Sequence, residues 1–273
     1  MIMLFLGAFH LMLWPGDIVF LYGMLGFILL PLRRFSNKTL LITGIGLLLL
    51  PILLYWLKMK FPVLNSPAEF LYQTGDKVDS KLTGVTSEET FKEYIKNANW
   101  FDVFKGDISG FFFRYGDLFF QSRFPKVLGM MLIGLVAGRS EFYKNIHQHK
   151  KSLYYIIAFG IIIALPANYL LAGYMDDNTG SYYRFKISGL YRTISYAIGV
   201  APLAAAYVAL FMLAFQNNVL KRIMSVLAPV GKMAFSNYIM HTLIGNFVFL
   251  NAGLGFMGSV GPVYYTRSEE RRV

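Results

Sequence analysis

Nineteen consecutive residues from Thr39 to Leu57 carry no charge. A helix of that length is about 28 Å long at 1.5 Å per residue, close to the roughly 30 Å of hydrocarbon in a bilayer. Predominantly apolar runs follow at Phe124–Gly138, Leu153–Tyr174, Tyr191–Phe215 and Pro229–Leu250, interrupted by charge only at Lys126, Arg192 and Lys232, and two shorter ones precede it. A chain that is 56% hydrophobic and only 15% charged has too little polar surface to cover that much apolar sequence in water. Lipid satisfies no backbone amide, so such runs cross it as helices. The expected fold is all-α, a polytopic transmembrane helix bundle of about seven spans with a large extracytoplasmic loop.

The two shorter runs meet at Phe9-His10-Leu11-Met12-Leu13-Trp14-Pro15-Gly16-Asp17-Ile18, which holds the only histidine and aspartate of the first 60 residues. Pro15 lacks an amide proton and Gly16 tolerates left-handed angles, so one helix stops here. Asp17 is suited to cap the next, from about Ile18 to Leu32. Only 14 residues reach Trp14, roughly 21 Å of helix. The first segment therefore either dips into the bilayer or belongs to a longer parent chain; a parent chain is the favoured expectation.

Four regions follow from the changes in character. Residues 1–57 form a transmembrane hairpin plus a third span, which Pro51 is expected to kink. Residues 58–123 form an extracytoplasmic connection. Here Asn65-Ser66-Pro67 and Thr74-Gly75-Asp76 read as turns, Ser87-Glu88-Glu89-Thr90 opens a short helix through Ile95, and the phenylalanine-rich stretch Ile108–Phe120 lies along the interface. Residues 124–252 hold four spans; in the first of them Phe119 and Phe120 extend the helix while Arg123 and Lys126 snorkel outward. Gly134 and Gly138 there form a G-x-x-x-G pair. Residues 253–273 are a glycine-rich and polar tail.

Charge sets the orientation. Arg33, Arg34 and Lys38 give +3; Arg139, Lys144, Lys150 and Lys151 less Glu141 give +3; Lys221 and Arg222 give +2. Single crossings put all three connectors on one side, the cytoplasmic one. The 58–123 connection holds nine basic and nine acidic residues and belongs outside. Arg267, Arg271 and Arg272 at the tail run against the rule. The net charge of +11 comes in short clusters rather than one stripe, so the partner is the lipid bilayer and not nucleic acid. No cysteine is present, which removes disulfides, thiolate ligands and cysteine nucleophiles.

His10 stands out as an ionisable group about one turn from a span end. It is either a neutral imidazole tied to a neighbouring helix or a base, and Asp17 is either a cap alone or a cap that also orients His10. Asn237 and His241, four apart on one helix face, either fix packing or wall a substrate cavity. Arg139 is an interfacial anchor or a phosphate ligand. Trp14 sits where it would touch a substrate near His10. His147-Gln148-His149 beside Lys150-Lys151 reads as a basic loop at anionic lipid, Asp176 and Asp177 read as loop residues, and no metal site or cofactor is expected. P-loop, nucleophile-elbow, dinucleotide and zincin motifs are missing.

His10-Leu-Met-Leu-Trp14-Pro-Gly16-Asp17-Ile, the run from Phe124 to Arg139, and Gly231-Lys-Met-Ala-Phe-Ser-Asn237-Tyr resemble the YeiB-like membrane proteins, whose C-terminal half is the domain of unknown function 418. The resemblance implies a bacterial cytoplasmic-membrane, multi-pass protein without an established activity, distantly similar to transmembrane acyltransferases. In that wider group a membrane histidine serves acyl transfer from a cytoplasmic donor, here acyl-CoA, to a small-molecule, lipid or glycan acceptor outside, and His10 is the matching position. Lys232 and His241 stand where the family usually has arginine and glutamine. The family has further helices before Met1 and a final basic helix, so the chain is expected to be truncated at both ends. Beside the transferase reading stand a transporter or lipid-handling protein, suggested by Pro51, Pro166, Asn168, Asn237 and His241 within spans, and a non-catalytic scaffold.

Overall fold

Apolar runs and their caps set the helices. The computed structural model describes residues 2–140, 144, 146–177, 182–216 and 218–256, and among them it is all-helical. In chain order these are α1 (Ile2–Leu11), α2 (Val19–Leu32), α3 (Asn37–Lys60), α4 (Ser66–Leu82), α5 (Glu88–Asn97), α6 (Trp100–Phe120), α7 (Arg123–Arg139), α8 (Ile146–Phe159), α9 (Leu165–Asp177), α10 (Ile187–Ala214), α11 (Asn218–Lys232) and α12 (Ala234–Phe249). Among the described residues three helical stretches are long and apolar enough to cross a membrane: Asn37–Lys60, Ile146–Met175 and Ile187–Ala214. Glu141 and the tail from residue 257 on lie outside the described residues.

The chain divides into two units, the first of Met1–Gly23, Ala68–Asp117 and Val230–Val273, the second of Met24–Pro67 and Leu118–Pro229. In the first, α1 and the start of α2 meet closely, because Gly7 leaves no β-carbon between it and the Phe20 backbone. Helices α4 and α6 run antiparallel, with Gly75 against Phe113 and Gly116 against Tyr72. The Tyr72 hydroxyl donates to Asp117 at 2.6 Å and the Ser109 hydroxyl to Asp79 at 2.7 Å along the same seam. Helix α5 starts as its sequence predicts, with Ser87 as N-cap and a reciprocal bond from Thr90.

In the second unit α3 packs along α7, and α10 packs on α3, α8 and α9. The Gly44 and Gly129 backbones touch where α3 crosses α7, since a β-carbon on Gly129 would lie 2.7 Å from the Gly44 carbonyl oxygen. Lys58 is buried and its ammonium donates to the Phe119 and Phe120 carbonyls at 3.0 and 2.8 Å, closing the C-terminus of α6. Between α8 and α9 the backbone widens into a π-turn over Gly160–Ala164. Pro166 offers no amide to the carbonyls of that turn, and one turn on, the Asn168 side chain donates back to the Ala164 carbonyl at 2.8 Å.

Several local expectations differ from this structure. The 58–123 connection is mostly helix: α4 runs straight through Thr74-Gly75-Asp76, and Pro67 sits in its first turn, where a missing amide costs nothing. Phe119 and Phe120 do not extend α7, because Ser122 takes a left-handed conformation (φ 50°) and breaks the chain between α6 and α7. Lys126 does not snorkel; it is buried with its ammonium 4.2 Å from the Tyr196 ring centre. Gly134 and Gly138 face nothing within 4 Å, so the close pair is Gly44 with Gly129. The run Pro229–Leu250 is two helices parted at Met233. The 147–151 stretch belongs to α8, and Asp176 and Asp177 end α9.

Candidate active site

The turn after α1 folds His10 and Asp17 together. His10 lies in the last turn of α1, and its carbonyl accepts from the Leu13 and Trp14 amides, tightening the backbone before Pro15. Seven residues on, Asp17 presents Oδ1 to His10 Nδ1 at 2.7 Å. Its other oxygen accepts from the Phe20 amide at 2.6 Å, so one carboxylate both caps α2 and holds the imidazole. Both residues are buried, at 1% and 3% exposure. A carboxylate can only accept, so Nδ1 carries the proton.

The far side of the ring meets α12. His10 Nε2 lies 2.9 Å from the Thr242 hydroxyl, and in the neutral ring that nitrogen accepts its proton. The Tyr238 hydroxyl lies 3.4 Å from Asp17 Oδ1 and accepts from the Ile18 amide at 3.3 Å. Its ring packs 4.8 Å from the imidazole. Asn246 donates to the Leu13 carbonyl at 2.8 Å. Tyr238, Thr242 and Asn246 recur every fourth residue on α12 and form the stripe that grips the turn. Thus Asp17, His10 and Thr242 form a chain of carboxylate, imidazole and hydroxyl, the order of an orienter, a base and a group to be activated.

The other sequence candidates fall in different places. Trp14 is 43% exposed and sets its ring edge-on to His10 at 6.2 Å. Asn237 and His241 occupy the face one residue behind the stripe; His241 is exposed and Thr242 takes the contact to His10. Arg139 belongs to the second unit, where its guanidinium donates to the Arg33 and Phe35 carbonyls and to the Asn37 side chain. It closes the turn from α2 into α3. Among the described residues no three histidine, aspartate or glutamate side chains gather as a metal site. A cleft lined by Leu82, Tyr94, Asp102 and Lys105 lies between α4, α5 and α6, and no residue of the His10 constellation lines it.

Sequence reading did not single out Thr242, Tyr238 or Asn246. Their signal was the polar repeat at positions 238, 242 and 246, one position off the Asn237–His241 pair. Nor did it pick Tyr115 and Arg114 of α6. The Tyr115 ring stands 6.4 Å from Phe20. Burial, and then the nearby Asp17 carboxylate, push its phenol up to about 12, while Arg114 pulls the other way.

Residues 137–267, which include α12, match the family model described as protein of unknown function (DUF418). Over 264 residues the chain is 26% identical to the uncharacterized protein YxaH of Bacillus subtilis (strain 168), covering 96% of this chain and 60% of the relative. Over 272 residues it is 24% identical to the uncharacterized protein YeiB of Escherichia coli (strain K12), covering 93% of this chain and 62% of the relative. The chain is thus similar to the YeiB-like proteins along most of its length, and its residues 137–267 carry the DUF418 match. It spans about three fifths of the length of these curated relatives. No solved structure matches it. The His10 constellation thus draws on both sides of the matched boundary, with Thr242 and Tyr238 inside the DUF418 region and His10 and Asp17 before it.

Proposed function

We propose that this DUF418 protein is a multi-pass protein of the bacterial cytoplasmic membrane that transfers an acyl group from a cytoplasmic acyl-CoA to an extracytoplasmic small-molecule, lipid or glycan acceptor. The carrying observation is His10 Nδ1 held at 2.7 Å by Asp17 while Nε2 faces a hydroxyl. An acceptor hydroxyl taking the place of the Thr242 hydroxyl would give its proton to Nε2 as its oxygen attacks the thioester carbonyl. The carbon–oxygen bond forms, the carbon–sulfur bond breaks, and the proton passes from Nε2 to the leaving thiolate. Asp17 fixes the tautomer and stabilises the charged ring. Trp14, Arg139, Asn237 and His241 remain candidate substrate contacts in this reading. About seven crossings, with the 58–123 segment outside, supply the two-sided geometry.

Labelled acyl transfer from acetyl-CoA in membranes containing the protein tests it. His10→Ala is expected to lower transfer at least about 100-fold, the usual scale for a general base. Unchanged transfer in that variant removes His10 from the reaction.

A second reading, movement of a substrate without covalent change, is favoured by the irregular π-turn at Gly160–Ala164 within a helix long enough to span. Substrate flux without acylated product would support it.

A further inference from the structure

Helix α6 approaches the Trp14 turn with one face. Gly110 lies so near Pro15 that a β-carbon on it would come within 2.7 Å of the proline side chain. Arg114 follows one helical turn later and shares that face. Its neighbour Tyr115 packs on Phe20, the residue whose amide Asp17 caps. The Arg114 side chain is thereby brought to the Pro15–Phe20 stretch, and its charge is felt by Tyr115 and by Tyr238, the tyrosine lying 3.4 Å from Asp17.

One nitrogen of the half-buried guanidinium finds no acceptor among the described residues. Arg114 Nε is closed to solvent and has no hydrogen-bond partner among the described residues. Among the described residues it forms no ion pair with Asp17, whose carboxylate instead meets His10, the Tyr238 hydroxyl and the Phe20 amide. Nor does it pair with Asp107, two turns back on the same face, whose Oδ2 is itself buried without a partner. Leaving a buried donor of a charged group unsatisfied is costly, and Arg–oxyanion pairing, with its planar fork, is among the strongest hydrogen bonds available. A cation on the α6 face that meets the Pro15–Phe20 stretch, with its Nε left without an acceptor among the described residues, is arranged for an acceptor that arrives.

We infer that Arg114 is the anion-recognition residue of the His10 site, receiving a phosphate or carboxylate oxygen of the molecule on which the site acts. This rests on reading the His10 constellation as the reacting centre. It narrows the substrate class, because a neutral alcohol alone would leave Arg114 unmatched. The oxyanion has two sources, a phosphate of coenzyme A or an anionic headgroup on the acceptor.

Binding separates them. The purified chain in neutral detergent is titrated with coenzyme A and, separately, with mixed micelles containing phosphatidylglycerol, with phosphatidylcholine as the uncharged-headgroup control; tryptophan fluorescence reads occupancy through Trp14. The wild-type chain is expected to bind at least one anionic probe, and Arg114→Gln to bind it about tenfold or more weakly. A loss confined to phosphatidylglycerol assigns the oxyanion to the acceptor, and a loss confined to coenzyme A assigns it to the donor. Equal affinity of Arg114→Gln and wild type for both probes, or binding of neither by wild type, overturns the inference. Should Arg114→Gln not fold, Arg114→Lys keeps the charge without the fork, and unchanged binding in that variant is equally fatal. His10→Ala is expected to retain binding. Loss of transfer in His10→Ala with normal probe binding in Arg114→Gln would sink the Arg114 assignment alone; the converse would sink the transferase reading alone.

Discussion

Asp17 does two jobs with two oxygens, and substitution can separate them. In Asp17→Asn the amide oxygen still accepts from the Phe20 amide, so α2 stays capped, but the NH₂ now faces His10 Nδ1. Nδ1 must then accept, the ring proton moves to Nε2, and the nitrogen facing Thr242 loses its lone pair. Asp17→Asn is therefore expected to cost less than about 1 kcal/mol of stability and yet to lower acyl transfer about 10²–10⁴-fold. Asp17→Ala removes the cap and leaves a buried imidazole nitrogen unpaired, for a loss of roughly 2–4 kcal/mol. Thermal unfolding in detergent, run beside the transfer assay, checks both; equal melting temperatures for Asn and Ala would contradict the double role. The nearness of this pair was legible in the sequence, because the Pro15-Gly16 turn brings the two side chains to the same place, although whether Asp17 only caps α2 or also bonds His10 stayed open. Thr242 was not, since its distance from His10 along the chain hides the contact and the eye falls on the ionisable His241 beside it.

Helix existence was readable from apolar runs, but helix partners and breaks were less so. Small residues at four-residue spacing mark where two helices can approach, not which helix arrives, and so Gly134 and Gly138 looked like a contact while Gly44 and Gly129 make one. Gly129→Ala is expected to destabilise the chain by about 1–3 kcal/mol, since its β-carbon meets a backbone carbonyl that cannot turn aside. Gly134→Ala, facing nothing within 4 Å, should change stability by less than about 0.5 kcal/mol. Detergent melts of the two variants decide it, and equal losses would mean that the α3–α7 crossing is not the tight point. The split at Met233 has a similar origin. Hydropathy averaged over Pro229–Leu250 joins the last turn of α11 to α12, although α11 as a whole is two-faced, with Ile223, Val226, Leu227 and Val230 exposed and Lys221, Arg222 and Lys232 among its polar residues. Such a helix suits the interface better than the hydrocarbon.

At the scale of the whole chain, composition was enough for a membrane protein but not for its path. Among the described residues three helical stretches are long enough to cross alone, while α1, α2, α7 and α12 have 10, 14, 17 and 16 residues, so that length does not count the crossings. Charge offers an independent handle, because cytoplasmic connectors retain lysine and arginine whatever the helix lengths. The connectors around Arg33 and Arg139 each carry +3, and the 58–123 segment is neutral. Ser80 on α4 and Ser140 after α7 are both exposed, so neither is shielded from a reagent by the protein itself. With no native cysteine to compete, Ser80→Cys is expected to react with a membrane-impermeant maleimide on intact cells. Ser140→Cys should react only after the membrane is opened. The reverse pattern would put α4 and α6 on the cytoplasmic side, and Arg114 with them. The oxyanion it is proposed to hold would then have to come from the cytoplasm, which leaves coenzyme A as the source and removes the outer acceptor headgroup from consideration.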